Sequence, residues 1–340
     1  MSQFFDLIYK LPEQIEDAYN IARETNINLN KSKIHNIVVA GMGGSAIGGD
    51  ILYSLTYDYL PVPITIVKDY KMPKFINSST LVFVVSYSGN TEETLSCLLT
   101  AKKKNCAIIG VTNGGQVLTY CQKHNINYVQ LPKGLPSRAA LGYLFIPLLV
   151  ALYKIGLIPK KEVEINESIK VLINNRRKYQ RQMQILAKQL VKRLPLIYAT
   201  STLFTAVAKR WQAQFNENAK VLAHYNYFPE LNHNEIVAIT DNKAFVPIYN
   251  LILIDQKSHP RNLLRVKLTL QLTREKLSKQ TRERFFHYKE ILPDGKSDLA
   301  RVFSLIMQGD LLTYYLALQR KIEPSLILPI DEFKEKLNNC

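Results

Sequence analysis

Apolar residues in the first half of the chain fall into short unbroken runs separated by polar stretches. Ile37-Val38-Val39-Ala40, Ile64-Thr65-Ile66-Val67 and Leu81-Val82-Phe83-Val84-Val85 are the clearest. Runs of this length and β-branched content read as strands buried on both faces. Strands are expected at His35–Met42, Ile64–Lys68, Leu81–Ser86, Ala107–Thr112 and Tyr128–Leu131. Helices are expected near Gly48–Thr56, Glu92–Lys103 and Val117–His124. Such alternation predicts a mainly parallel sheet flanked by helices, an α/β sandwich. Ahead of it, Leu7, Ile8, Leu11, Ile15, Ala18 and Ile21 recur at helical spacing, with Pro12 marking the start of the main helix.

Gly134-Leu135-Pro136-Ser137-Arg138 opens an apolar helix over Ser137–Tyr153, and Glu162–Arg193 reads as a long polar helix. A second alternation follows. It comprises a strand at Pro195–Ala199, a helix at Phe204–Asn218, strands at Val246–Asp255 and Leu264–Leu272, and helices at Leu299–Arg320 and Asp331–Leu337. This half begins as the first does, with a strand, the hydroxyls Thr200-Ser201-Thr202, and a helix. It reads as an internal duplication that lacks the glycine loops of the first half. The expected division is an N-terminal helix (1–30), a first α/β domain with phosphate-binding loops (31–155), a helical connector (156–193), and a second α/β domain with C-terminal helices (194–340).

A chain of 340 residues has room for about two such domains. With 47% hydrophobic and 21% charged residues it has ample core material. The longest apolar run, Leu144–Leu152, falls short of the roughly 18 residues a membrane helix needs. Met1-Ser2-Gln3-Phe4-Phe5-Asp6 lacks a basic leader region, so no signal peptide is expected. Cys97, Cys106, Cys121 and Cys340 show no metal-ligand spacing, and the reading is of a metal-free protein in the cytoplasm. The net charge of +16 gathers in Lys170–Arg193 and Arg261–Lys289. Apolar residues intersperse both segments, which favours solvated faces over a nucleic-acid surface. A positive field would also draw in anionic sugar phosphates.

Candidate chemistry lies on the loops after strands. Ser86-Tyr87-Ser88-Gly89-Asn90-Thr91-Glu92-Glu93-Thr94 follows one strand and precedes a helix. Helix N-termini offer unpaired N–H groups and partial positive charge, and here a phosphate would also meet the hydroxyls of Ser86, Ser88 and Thr91. The competing reading is a turn with an N-cap. The loop Gly41 to Asp50 repeats the strand, glycine turn, helix arrangement. Gly41, Gly43 and Ala46 fit a variant of the dinucleotide fingerprint, with Asp69 as the ribose acid. A small phosphorylated ligand fits two hydroxyl-bearing loops better.

Three isolated residues stand out. Glu217 sits among amides in Gln214-Phe215-Asn216-Glu217-Asn218-Ala219-Lys220, and in isolation reads as a solvated helix-end acid. His233 lies in the polar loop Pro229-Glu230-Leu231-Asn232-His233-Asn234-Glu235. Arg138 opens an apolar helix, where it would either cap carbonyls or face an oxyanion.

Taken in order, the glycine loop, the serine loop, the Asn216–Lys220 segment and the Pro229–Glu235 segment resemble the bifunctional phosphoglucose/phosphomannose isomerases of the sugar-isomerase (SIS) superfamily. The resemblance covers nearly the whole chain. It implies two SIS domains and a homodimer whose active site lies at the domain and subunit junction. It further implies that Gly43, Gly44, Ser45, Ser86, Ser88 and Thr91 hold substrate. Arg138 would steady an enediolate, Glu217 would be the base, and His233 from the partner subunit would open the sugar ring. A C-terminal lysine also takes part in the family; Lys334 is the better match and Lys336 its rival.

That chemistry is self-consistent. One carboxylate can move a proton between C1 and C2 of an open-chain sugar phosphate, an arginine can stabilise the oxyanion, and a histidine titrates where ring opening needs it. No cofactor is implied. Two departures stand out: the charged stretch Arg274–Lys296 does not map onto the family pattern, and Pro324-Ser325 stands where the family has a threonine tied to the mannose epimer. The alternatives are a non-catalytic SIS-type sugar-phosphate sensor, which leaves Glu217 and His233 unexplained, and an aminosugar-phosphate enzyme, which the missing glutaminase domain disfavours.

Overall fold

The computed structural model describes residues 3–241 and 247–338. Val246, read above as the first residue of a strand, and Met1, Ser2 and Cys340 lie outside them. The chain forms two compact units, one of Tyr9–Ile173 with Gly295–Arg301, the other of Met1–Ile8, Asn174–Asp294 and Val302–Cys340.

The leading segment forms α1 (Gln3–Tyr9) and α2 (Leu11–Glu24), with Pro12 in the first turn of α2 as its fixed φ favours. The first sheet then unfolds as β1 (Asn36–Ala40), α3 (Gly43–Thr56), β2 (Ile64–Val67), β3 (Thr80–Val85), α4 (Glu92–Lys103), β4 (Ala107–Thr112), α5 (Gly115–Lys123) and β5 (Asn127–Gln130). All pairings are parallel, in the order β2-β1-β3-β4-β5. Every residue of β3 is buried, as its unbroken apolar run requires. Val38, Ala40, Val82, Val84 and Ile108 face one layer, packing on Cys97, Leu98 and Ala101 of α4 and Val117 and Cys121 of α5. On the other face Gly49 of α3 lies against Val39 and Ile66, and α6 (Leu141–Ile155) packs on α2 and α3. Helix α3 begins at Gly43, five residues before the expected start at Gly48. Glycine weakens a helix, and here the close packing of the helix compensates.

After α7 (Glu162–Leu190), the second sheet is built from β6 (Leu194–Ala199), α8 (Thr202–Ala219), β7 (His224–Tyr227), α9 (Glu235–Thr240), β8 (Ile248–Leu253), α10 (Pro260–Lys276), α11 (Lys279–Phe285) and β9 (Phe286–Ile291). Its order is β7-β6-β8-β9, again all parallel. The order repeats that of the first sheet without a fifth strand, as an internal duplication would. Helices α12 (Asp298–Gln319) and α13 (Leu328–Asn338) follow.

One expectation is corrected. Leu264–Leu272 is not a strand but the middle of α10. Leu264, Val266, Leu268, Leu270 and Leu272 alternate strictly and imitate a strand. The helix instead buries Val266, Thr269, Leu270 and Thr273, and leaves Leu264, Leu268 and Leu272 as an exposed stripe. Pro260 in the first turn and the Lys, Arg and Gln residues between the leucines favour the helix. The charged stretch Arg274–Lys296 resolves into the end of α10, α11 and the edge strand β9.

Candidate active site

The serine loop leaves β3 at the carboxyl edge of the first sheet, where parallel sheets bind ligands. The hydroxyls of Ser86 and Thr91 share a hydrogen bond of 2.9 Å, and the Gly89 N–H donates to Ser86 Oγ at 3.1 Å. Asn90 N–H donates to Ser88 Oγ at 3.3 Å. Gly89 has φ +73°, and a Cβ there would lie 1.8 Å from the carbonyl oxygen of Gly114, so both its conformation and its neighbour demand glycine. Asn90 Oδ1 accepts the Gln116 N–H at 3.0 Å, which ties the loop to the start of α5. Ser86 is buried, whereas Ser88 is exposed. The loop therefore presents the outer hydroxyl and the free N–H groups of the first turn of α4 from a rigid frame.

Tyr87, which the sequence reading passed over, joins three segments. Its N–H donates to Ser45 Oγ at 3.3 Å, linking the serine loop to the first turn of α3. Its hydroxyl donates to the carbonyl of Pro132 at 2.7 Å and accepts the Leu135 N–H at 3.1 Å. The segment so tethered runs into the single turn Ser137–Ala139 that carries Arg138. That turn lies against α3: a Cβ on Gly44 would sit 2.9 Å from the Ser137 carbonyl oxygen and 3.3 Å from Arg138 Cα. Arg138 is 3% exposed. Gly43, Gly44, Ser45, Ser86, Ser88, Thr91 and Arg138 thus all belong to one frame. Asp69, the candidate ribose acid, is exposed and accepts the Tyr70 N–H at 2.6 Å.

Glu217 lies half-buried in the last turn of α8. One face of this helix is bolted to α12. Arg210 and Gln214 donate to the two carboxylate oxygens of Asp310 at 2.7 and 2.8 Å, and Asn218 donates to Thr313 Oγ1 at 3.0 Å. Trp211 adds a bond from Nε1 to the Leu305 carbonyl at 3.0 Å. Spacing of four residues puts Arg210, Gln214 and Asn218 on one stripe. The register of α8, and with it the position of Glu217, is set by buried, directional bonds. Lys220 ends the helix in the left-handed conformation, φ 52°.

His233 is exposed at the end of the turn Glu230–His233. Two residues on, Glu235 receives hydrogen bonds from Tyr198 Oη, from His224 Nε2 at 2.9 Å and from Asn226 Nδ2 at 2.8 Å. Burial, with the Glu235 carboxylate beside it, pushes the Tyr198 phenol well above its usual range. This knot secures the His233 segment to β6 and β7. Lys334 and Lys336 are exposed on α13. Among the described residues, no group of three or more His, Cys, Asp or Glu side chains has the geometry to hold a metal ion. No helix among them is long and apolar enough to cross a membrane.

Comparison with known proteins gives the family of the chain. A bifunctional phosphoglucose/phosphomannose isomerase of Caldicellulosiruptor bescii is 39% identical over 341 residues, spanning 98% of both chains. This chain belongs to that isomerase family. A second family member, from Thermoplasma acidophilum, is 35% identical over 89% of this chain and 90% of its own. Residues 180–337 match the bacterial phospho-glucose isomerase C-terminal SIS domain. The C-terminal domain of glucosamine-fructose-6-phosphate aminotransferase from Francisella tularensis shares the fold, with a TM-score of 0.72 at 17% identity over 95% of this chain and 99% of that one. Family membership covers both sheets, so the loops of the first and the polar ladder of the second belong to one isomerase chain.

Proposed function

We propose that this protein interconverts glucose 6-phosphate and fructose 6-phosphate, and also accepts mannose 6-phosphate. The observation that carries this reading is end-to-end membership of the bifunctional phosphoglucose/phosphomannose isomerase family. The serine loop and the first turn of α3 grip the phosphate and sugar hydroxyls through Gly43, Gly44, Ser45, Ser86, Ser88 and Thr91. Binding energy from a phosphate remote from the reacting carbons orients the open-chain sugar. Glu217 removes a proton from C2 of the aldose and returns it to C1, and works in reverse from the ketose. The Arg138 guanidinium stabilises the negative charge that develops on the enediolate oxygens. His233 of the partner subunit moves the proton that opens the ring, and Lys334 assists from α13. In this reading the protein is a cytoplasmic homodimer, and each step is a proton transfer.

The test is turnover of fructose 6-phosphate by purified protein in EDTA, following both aldose products. Formation of glucose 6-phosphate and mannose 6-phosphate is expected. Neither product, from folded protein that binds the sugar phosphate, would leave a sensor in place of an enzyme. The shared site has its own test. Mixing Glu217→Gln and His233→Ala chains should restore activity after subunit exchange, and no recovery despite exchange would remove the partner's histidine from the mechanism.

A further inference from the structure

Every residue of the segment Glu230–Glu235 except His233 has its side chain held in place. Leu231 is fully buried and shares a core cluster with Tyr198, Phe228 and Ile239. Asn232 Nδ2 donates to Thr269 Oγ1 of α10 at 2.8 Å. Asn234 Nδ2 donates to Glu230 Oε1 at 2.8 Å, and Asn234 Oδ1 accepts the Glu235 N–H at 2.6 Å at the start of α9. His233 is exposed, and among the described residues its ring makes no hydrogen bond or ion pair. The segment is thus a fixed turn that carries one unengaged imidazole.

Glu235 anchors the far end of that turn. Its Oε1 accepts the Tyr198 hydroxyl, and its Oε2 accepts His224 Nε2 at 2.9 Å and Asn226 Nδ2 at 2.8 Å. Tyr198 on β6 stands in register with Asn226 on β7, and His224 lies two residues before Asn226. All three therefore project from one face of the strand pair. The Glu235 side chain is 17% exposed. A sheltered carboxylate with donors on both oxygens is fixed in direction as well as in place. Any structural carboxylate could brace a sheet in this way. What sets Glu235 apart is its place, two residues from His233, with Asn234 between them bonded to its N–H. None of these bonds involves α8, which carries Glu217.

We infer that Glu235 is a positioning residue for ring opening: the donors gathered on its carboxylate set where the His233 ring stands, and it acts on turnover through that ring alone. The inference rests on the isomerase reading of His233. Opening the furanose form of fructose 6-phosphate breaks the C2–O5 bond. The electron pair of that bond passes to O5, which gains a proton, while the anomeric hydroxyl loses one and becomes the C2 carbonyl. A histidine that moves this proton must keep hydrogen-bond distance, and a displacement of about 1 Å costs up to about a hundredfold in rate. Once the sugar is open, the transfer between C1 and C2 needs Glu217 and no longer needs the histidine. Loosening the Glu235 knot therefore slows closed substrates and spares open ones, whereas a carboxylate that merely braced the sheet would affect both alike.

The test measures kcat/KM of the full-length protein on two substrates. Fructose 6-phosphate closes its ring through the C5 hydroxyl, whereas 5-deoxyfructose 6-phosphate lacks that hydroxyl and stays open. Glu235→Gln keeps the side chain's size but turns an amide donor toward groups that themselves donate. Tyr198→Phe removes one donor and keeps the ring that packs in the core. On fructose 6-phosphate Glu235→Gln should lose about tenfold and Tyr198→Phe about threefold, and on the open substrate both should lose less than about twofold. His233→Ala should show the same selectivity with a loss of about a hundredfold. Adding Glu235→Gln to His233→Ala should cost no more than about a further twofold on fructose 6-phosphate, since a residue that acts through another has nothing left to act on. Equal losses on the two substrates in the Glu235 and Tyr198 variants, no loss on either, or a further tenfold loss in the double variant would overturn this inference alone. Equal losses in His233→Ala would take ring opening away from the histidine, and a wild type without turnover would overturn the isomerase reading; each removes this inference with it.

Discussion

The two sheets repeat one strand order and one cross-loop bond, yet present different chemistry at their carboxyl edges. In the first, the N–H of Tyr87, in the loop after β3, donates to the Ser45 hydroxyl in the first turn of α3, the helix after β1. In the second, the N–H of Asp255, in the loop after β8, donates to the Thr200 hydroxyl in the loop after β6, at 2.7 Å. Both sheets thus join the segments after the corresponding two strands through a hydroxyl, although Ser45 lies in a helix and Thr200 directly after its strand. What surrounds it differs. The first sheet places glycines and hydroxyls there, whereas the second places the buried carboxylate of Asp255, which accepts the Lys257 N–H at 2.8 Å. In the proposed reading the repeated frame binds an anion in one copy and carries an acid–base group in the other. On the proposed assignment, substitutions in the serine loop should act on KM, and substitutions around Glu217 on kcat. On the same assignment Arg138 is the exception, a cation for the reacting centre carried by the first half.

The sharpest break point is Glu217 itself. Glu217→Gln keeps the size of the side chain but removes the proposed base. General acid–base groups contribute about 10² to 10⁴ in rate, so kcat for fructose 6-phosphate should fall about a thousandfold. Affinity measured by calorimetry should stay within about threefold of wild type. A large loss of affinity with it would mean that the second half also grips the substrate, and the division of labour would fail.

Next in size is Asp310. Its carboxylate receives Arg210 and Gln214, and both members of the ion pair are buried, with side chains 3% and 8% exposed. Removing one partner of a buried pair costs about 3–5 kcal/mol. Asp310→Ala should therefore lower the urea midpoint by far more than any single substitution in the serine loop. Were its stability near wild type, the ladder would not be what fixes α8.

These two residues also mark where the sequence is legible and where it is not. The strands β1, β3 and β4 announce themselves because burial on both faces leaves no polar interruption. Strands β7 and β9 do not, because edge strands such as His224–Tyr227 carry polar residues on their open sides. The leucine alternation in α10 misleads because period two and a partly exposed helix can share the same letters. Gly89 and the hydroxyls around it are readable because they lie close together in the chain, on one turn between a strand and a helix. Asp310 is not, since its meaning depends on partners about a hundred residues distant. Tyr87 was hidden for another reason: its backbone and hydroxyl do the joining, and neither leaves a spacing pattern.

In the serine loop, Gly89→Ala probes rigidity. A methyl group cannot occupy a point 1.8 Å from the Gly114 oxygen, so the turn must move. Displaced loop N–H groups should raise KM about tenfold while kcat at saturation changes little. A fall in kcat of the same size with unaltered KM would reverse the assignment of binding to this half.

Ser86→Ala is gentler and separates binding from scaffold. The Ser86 hydroxyl bonds both Thr91 Oγ1 and the Gly89 N–H, and a hydroxyl that accepts one hydrogen still has its own to donate. Losing it removes an acceptor for a loop N–H and frees Thr91 to rotate. A hydrogen bond contributes about 1 kcal/mol net, so KM should rise about fivefold, with a small drop in Tm. Thr200→Ala is the matched control in the second sheet. It deletes the hydroxyl that takes the Asp255 N–H and should lower Tm by a similar amount without moving KM. Equal shifts in KM for both would show that the two loops respond only through the stability of the frame, and the contrast between the sheets would lose its functional content.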